Sequence, residues 1–158
     1  MEIQIEKATI ADFQAVNAIV KEGHNVHVEA LPYLFKNVQK VMLISYYQQL
    51  LEDEASDILI ATENATIVGF AIISLESSPP FESLVPRKFA YINDFGVKTV
   101  NQRKGIGKKL FEACIAWAKE KDVQSVELNV WEFNQSAISF YESLGMKSMS
   151  RKMNLMLE

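Results

Sequence analysis

The chain has 158 residues, of which 49% are hydrophobic and 23% charged, a composition suited to one globular domain with a sizeable core. No apolar run approaches the ~18 residues of a membrane-spanning helix, the opening MEIQIEKATI lacks the basic and apolar regions of a secretory signal, and the lone Cys114 excludes an internal disulfide or a cysteine-rich metal site. A cytoplasmic protein is therefore expected, and its formal net charge of −4 argues against nucleic acid as the main partner while suiting a cationic or amine ligand.

In chain order, residues 3–5 can begin a short strand. Thr9 with Asp12 three residues on is a variant of the capping box, and Phe13, Val16, Ile19 and Val20 then recur at helical spacing, predicting a helix near 10–21. The stretch GHNVHVEALP, from Gly23 to Pro32, reads as a loop, and Phe35, Val38, Met42, Tyr46 and Leu50 predict a second helix near 34–53. Residues 57–63 and 67–75 are strand-like, with 64–66 short enough for a hairpin turn. Pro79 and Pro80 mark a loop before a strand at 90–97.

Ile106, Leu110, Cys114, Ile115 and Trp117 then predict an amphipathic helix over 105–121, and 125–131 alternates as a strand. Asn134 caps a further helix with Ala137, Phe140, Tyr141 and Leu144 inward, and Gly145 suits its left-handed end. Met153, Leu155 and Leu157 alternate in a predicted last strand. This order implies a mixed α/β sheet with helices on both faces, the 90–97 strand, its helix and the 125–131 strand forming a parallel crossover. No repeat, low-complexity segment or linker interrupts the chain, so a single domain over 1–158 is expected.

The densest basic run free of acidic residues lies at 98–109, with Lys98, Arg103, Lys104, Lys108 and Lys109. Within it, residues 102–107 read QRKGIG between a strand and a helix. A helix start leaves amides without partners, its dipole favours an anion, and glycine lets the backbone approach closely, so the loop can hold a pyrophosphate. Two rival motifs fit poorly. Leu110 stands where a dinucleotide fingerprint needs a third glycine, and Lys109 where a Walker A loop needs Ser or Thr.

Gln102, Gly105 and Gly107 resemble the Gln/Arg-x-x-Gly-x-Gly/Ala signature of the GNAT superfamily of acetyl-CoA-dependent N-acetyltransferases. A second element, Asn134-x-x-Ala137-x-x-Phe140-Tyr141 followed by Gly145, is similar to that family at the usual separation. The resemblance is strongest over 91–149 and weak before residue 55. It implies a single-domain α/β fold whose mixed, mostly antiparallel sheet has a central parallel strand pair. It also implies acetyl-CoA as co-substrate, an amine-bearing acceptor and no metal, with no nucleic acid or membrane partner and a homodimer as an expected assembly. On the family pattern, the backbone of Phe95, Gly96 and Val97 would face the pantetheine arm and thioester. The amides of Arg103, Lys104, Gly105, Ile106, Gly107 and Lys108 would hold the pyrophosphate, with Gln102 shaping the mouth of the loop. Asn134 would contact pantetheine, and Ser136 would border it.

Acetyl transfer to an amine needs a proton acceptor, an oxyanion donor and an acid for the thiolate. The resemblance assigns Tyr141 as the acid and the Val97 amide to the oxyanion. Asp94 is the preferred base, with Glu127, Glu29 and water as competitors. His24, His27 and Glu29 fit metal-ligand spacing poorly and are read as acceptor-lining or surface groups, with Pro32, Leu34 and Phe35 beside them. Trp131 and Phe133 line the cleft, form an interface or pack internally. Cys114 reads as a buried hydrophobe rather than a nucleophile. Direct transfer is expected. The competing readings are a sensor that binds acetyl-CoA without turnover and an ATP- or NAD-dependent enzyme.

Overall fold

The structure, a computed structural model, describes residues 2–158. Strand β1 (Ile3–Lys7) is followed by a 3-10 turn at Ile10–Asp12 and by helix α1 (Phe13–Ala30). Thr9 N donates to Asp12 Oδ2 at 2.8 Å, the acidic half of the predicted cap. Helix α1 runs well past the expected end near 21, so most of the stretch expected as a loop is helical. Gly23 costs about 1 kcal/mol relative to alanine in a helix interior, too little to end a helix anchored by buried Val16 and Ile19. The break comes where Pro32 disfavours helical geometry in the residue before it, and Leu31 sits at φ −132°, ψ 64°.

Helix α2 (Ile44–Glu52) is shorter than the predicted 34–53. Residues 35–43 are held outside helical geometry by longer-range contacts: Met42 N donates to Asn17 Oδ1 at 3.2 Å, and Phe35 packs on His27. The buried face of α2 carries Tyr47, not Tyr46; Tyr47 is fully buried and its hydroxyl donates to Thr9 O at 2.7 Å.

Strands β2 (Ser56–Glu63) and β3 (Thr66–Ser77) form the expected hairpin, with Asn64 and Ala65 both left-handed at φ 52° and 64°, as a two-residue turn demands. Strand β4 (Lys88–Val97), helix α3 (Ile106–Glu120), strand β5 (Val126–Leu128) and helix α4 (Gln135–Ser143) complete the chain's regular elements. The sheet order is β1-β2-β3-β4-β5, antiparallel except for the parallel β4–β5 pair that α3 connects and that forms one end of the sheet.

Both faces of the sheet are covered. Leu59, Ala61, Ile73, Ala90 and Ile92 pack against Ile106, Leu110, Cys114 and Trp117 of α3. Ile58, Ile60, Phe70 and Ile72 pack against Val16, Ile19 and Tyr47 of α1 and α2. Such two-sided burial explains why β2 and β3 read as continuous apolar runs.

Two expectations fail toward the C-terminus. Strand β5 stops at Leu128 rather than Trp131, because the chain turns there, with Asn134 N donating to Trp131 O at 2.9 Å. The strand expected around Met153, Leu155 and Leu157 does not form. Residues 147–158 carry no helix or strand, since alternation alone makes no strand without a neighbour to bond.

Candidate active site

The site begins where β4 and β5 separate. Their pairing covers only Ala90 with Val126, Tyr91 with Glu127 and Ile92 with Leu128, so β4 from Asn93 to Val97 has an open edge. Lys98 N donates to Val68 O at 2.8 Å, and the alternation of an antiparallel ladder then turns the amides and carbonyls of Val97 and Phe95 away from β3, into that opening. Two of these groups have partners: Phe95 N donates to Asp94 Oδ1 at 2.9 Å, and Val97 O accepts from Gln102 Nε2 at 3.1 Å. Val97 N–H and Phe95 C=O remain for a ligand.

A β-bulge aims the carboxylate. Asp94 pairs with Ile72 and Ile92 with Ile73, leaving Asn93 as the extra residue, pinned by its Nδ2 donating to Ser74 Oγ at 2.8 Å. Unbroken alternation would place residues 90, 92, 94 and 96 on the α3 side. Instead Phe95 and Val97 join Ala90 and Ile92 there, while Gly96 faces the other way. A Cβ on Gly96 would lie 2.9 Å from the Phe70 ring and 3.2 Å from Ile19 Cγ2. The bare Gly96 makes room for Phe70, and the bulge lies earlier in the strand.

The glycine loop has the geometry that anion binding needs. Arg103 and Gly105 are left-handed at φ 65° and 82°, and Gly105 is the residue that opens α3. Lys109 N is the amide that bonds back to Gly105 O, at 3.2 Å, so the amides of Ile106, Gly107 and Lys108 precede the intrahelical ladder. Lys98, Arg103, Lys104, Lys108 and Lys109 form no ion pair among the described residues. Thr99 N donates to Glu22 Oε1 at 3.0 Å, tying the loop's approach to α1. Gly107 has a second role: a Cβ there would stand 3.1 Å from Phe140 Cζ, so its bare backbone lets α4 pack close.

Helix α4 brings the remaining groups. Asn134 Oδ1 caps it by accepting from Ala137 N at 3.2 Å, which leaves the amide nitrogen as a donor, and Ser136 is exposed in the first turn. Tyr141 packs edge-on to Phe95 with ring centroids 6.0 Å apart. Burial first, then the negative field of Asp94, then Cys114, raises its pKa, so the phenol keeps its proton at neutral pH. Burial also raises the Asp94 carboxyl above its ordinary value, against the Phe95 amide bond that lowers it.

The rival carboxylates are placed otherwise. Glu127 Oε2 accepts from Arg87 Nη1 at 2.6 Å, and Glu29 is exposed on α1. Cys114 is fully buried and its thiol is pushed up to about 12 by that burial, which keeps it protonated and inert.

Tyr46 was passed over in the sequence. Its pKa is raised by burial and then by Asp94, so it stands within the carboxylate's field from the α2 side. Its place in a helical apolar stripe hid it, although a tyrosine that remains 44% exposed beside a fully buried Tyr47 is not filling the core. The first-loop residues assemble as an aromatic cluster. His27 lies against Phe35 at 5.1 Å and Phe133 at 5.6 Å, and Phe35 meets Trp131 at 5.4 Å. His24 Nε2 lies 2.7 Å from the Lys36 carbonyl. His27 is held below the usual histidine pKa, chiefly by burial and against the raising effect of the Gly23 carbonyl, so it is neutral at physiological pH. No helix among the described residues is long and apolar enough to cross a membrane.

Known proteins share this fold. The family model described as the Acetyltransferase (GNAT) family matches residues 23–146. An L-ornithine N5-acetyltransferase of Arabidopsis thaliana is 31% identical over 98 residues, 62% of this chain and 38% of its own length. The uncharacterised N-acetyltransferase YhfO of Bacillus subtilis is 30% identical over 101 residues, 64% of this chain and 65% of its own. The chain thus spans less than two thirds of the length of either curated relative. Among solved structures, a tetramutant of the BH1408 protein of Bacillus halodurans superposes with a TM-score of 0.94 at 31% identity, over 98% of this chain and 99% of that one. The aminoglycoside N-acetyltransferase AAC(6′)-Iy, solved with CoA, shares the fold at 13% identity and a TM-score of 0.74, over 98% and 99% of the two chains. With a match across most of its length on this sheet, loop and helix, the chain belongs to the GNAT acetyltransferase family.

Proposed function

We propose that the protein transfers the acetyl group of acetyl-CoA to a primary amine by direct attack. One observation carries this reading: the open edge of β4 ends at a cationic glycine loop, with Tyr141 in the field of Asp94 beside it. The amides of residues 103–108 and the unpaired cations around them suit a pyrophosphate, while Phe95 C=O and Val97 N–H suit a ligand that pairs like a strand. Acetyl-CoA supplies an acyl group activated as a thioester.

The chain supplies the rest. Val97 N–H stabilises the oxyanion as the amine nitrogen bonds to the acyl carbon. Asp94, with a raised pKa, takes the proton that the amine loses, directly or through water. As the carbon–sulfur bond breaks, the Tyr141 phenol gives its proton to the leaving thiolate. The inert Cys114 offers no acyl-enzyme route. The aromatic cluster around Phe35, with Tyr46, borders the acceptor.

Release of free thiol from acetyl-CoA across a panel of amines tests the proposal, with mass spectrometry of the products naming the acceptor. Binding of acetyl-CoA without thiol release from any amine would leave a sensor; stabilisation by ATP or NAD but not acetyl-CoA would overturn the reading of the loop.

A further inference from the structure

The stretch that brings Phe35 and Tyr46 to the cleft has a composition of its own. Between Glu29 and Glu52 it holds no acidic residue, and its charges are the two cations Lys36 and Lys40. Tyr33, Leu34, Leu43 and Ile44, in the same stretch, are 49 to 57% exposed. A ligand carrying several positive charges would meet apolar surface and like charge here, with nothing to replace the water it gives up.

The carboxylates that flank this stretch are already engaged. Glu127 Oε2 accepts from Arg87 Nη1 at 2.6 Å, and Glu132 Oε1 from Arg151 Nε at 3.2 Å. Glu22 Oε1 accepts from Thr99 N at 3.0 Å and from Thr99 Oγ1 at 3.2 Å. Glu76, further along β3, accepts from Ser74 Oγ at 3.1 Å. Glu29 lies two residues past His27 on α1, so the two point to different sides of the helix. Asp94 is left, bonded to the Phe95 amide and in no ion pair among the described residues. The cleft has room for one ammonium.

The rings around it are arranged edge to face. Phe35 meets Trp131 at 85° and 5.4 Å, and His27 meets Phe133 at 88° and 5.6 Å, the geometry that aromatic quadrupoles favour. His27 is neutral, so these are contacts between uncharged rings. The series ends in an open indole, because Trp131 remains 40% exposed. A flat ring supplied by the ligand would extend the series, whereas a saturated ring of the same size lacks the quadrupole to do so.

We propose that the acceptor is a monoamine whose amino group sits on a short arm from an aromatic ring, the ammonium directed to Asp94 and the ring stacked among Trp131, Phe35 and Tyr46. The inference rests on the acetyl-transfer reading above and specifies its substrate class. The product, an N-acetyl derivative, is uncharged, so acetylation removes the ion pair to Asp94 and favours release.

Initial rates of thiol release from acetyl-CoA at low acceptor concentration, which report kcat/KM, test this on the full chain. The probes are phenylethylamine, cyclohexylethylamine and spermidine. Phenylethylamine is expected to exceed cyclohexylethylamine by about 3- to 10-fold, the range of an aromatic pair, with spermidine slower still. Trp131→Leu, which changes an exposed side chain and should leave the circular dichroism spectrum unaltered, is expected to bring the phenyl-to-cyclohexyl ratio close to one. Faster turnover of spermidine, equal rates for the two ring amines, or a preference that survives in Trp131→Leu would overturn the substrate class and leave acetyl transfer standing. Absence of thiol release from these and every other amine would overturn the transfer reading, and this class with it.

Discussion

The two sides of the cleft are made of different material. The side proposed to hold the acetyl donor is backbone: an open strand edge from Asn93 to Val97, left-handed Arg103 and Gly105, and the first amides of α3. The side proposed for the acceptor is side chains gathered from three separate stretches, with His27 from α1, Phe35 from the following segment, and Trp131 and Phe133 from the turn after β5. Backbone geometry depends on a few glycines and caps whose spacing is local, whereas a side-chain wall depends on how distant segments meet. One side can therefore stay constant while the other is remade.

The largest test of this division falls on the proposed proton donor. Tyr141→Phe should lower kcat by about 10²-fold or more, the range for general acid catalysis, while calorimetry finds acetyl-CoA affinity unchanged. A matching loss of affinity would make Tyr141 part of the donor's cradle instead.

Asp94→Asn should cost about 10² in kcat/KM, also within that range. The wild-type rate should fall with acidification through the raised pKa of Asp94, a limb absent from the variant's pH profile. Stability should move the opposite way. A raised folded pKa means that the native state holds the proton more tightly, so stability declines as pH rises from the ordinary carboxyl value through the folded one. Removing the charge should raise Tm at neutral pH, which a thermal melt checks.

Gly107→Ala separates packing from cofactor approach on the donor side. Its Cβ would meet Phe140 at 3.1 Å, and overpacking of this kind costs about 1–3 kcal/mol. Adding Phe140→Leu should recover most of the Tm; whatever acetyl-CoA affinity is still missing then measures how closely the ligand approaches residue 107. The smallest effect is expected across the cleft, where Phe35→Leu should raise the acceptor's KM severalfold and leave acetyl-CoA binding as it was. Equal shifts in both constants would mean that the two sides are not independent.

The same division decided what could be read in advance. The QRKGIG loop, the Asn134 cap, the left-handed Gly145 and the parallel crossover follow from local rules, and all appear in the structure. The end of α1 did not, because Gly23 looked like a breaker while Pro32 was the one that acted. Nor did α2, where contacts from Asn17 and the histidines to residues 35–43 outweighed a helical period. Tyr46 went unnoticed because its apolar stripe is shared by Tyr47 one position on, and only packing shows which ring faces the core. The C-terminal alternation was real, but no strand pairs with it among the described residues.

The extra residue at Asn93 has a consequence for how the strand can change. Up to Ile92, even-numbered positions belong to the α3 face; beyond the bulge, odd-numbered ones do. The strand has changed parity, which frees it from choosing between building an interior and presenting a charge. Drawing Asn93 into the ladder, with no residue lost, would restore a single parity and drive the carboxylate into the place of the Phe95 ring. Substitutions along this strand are thus graded, but its register is not negotiable.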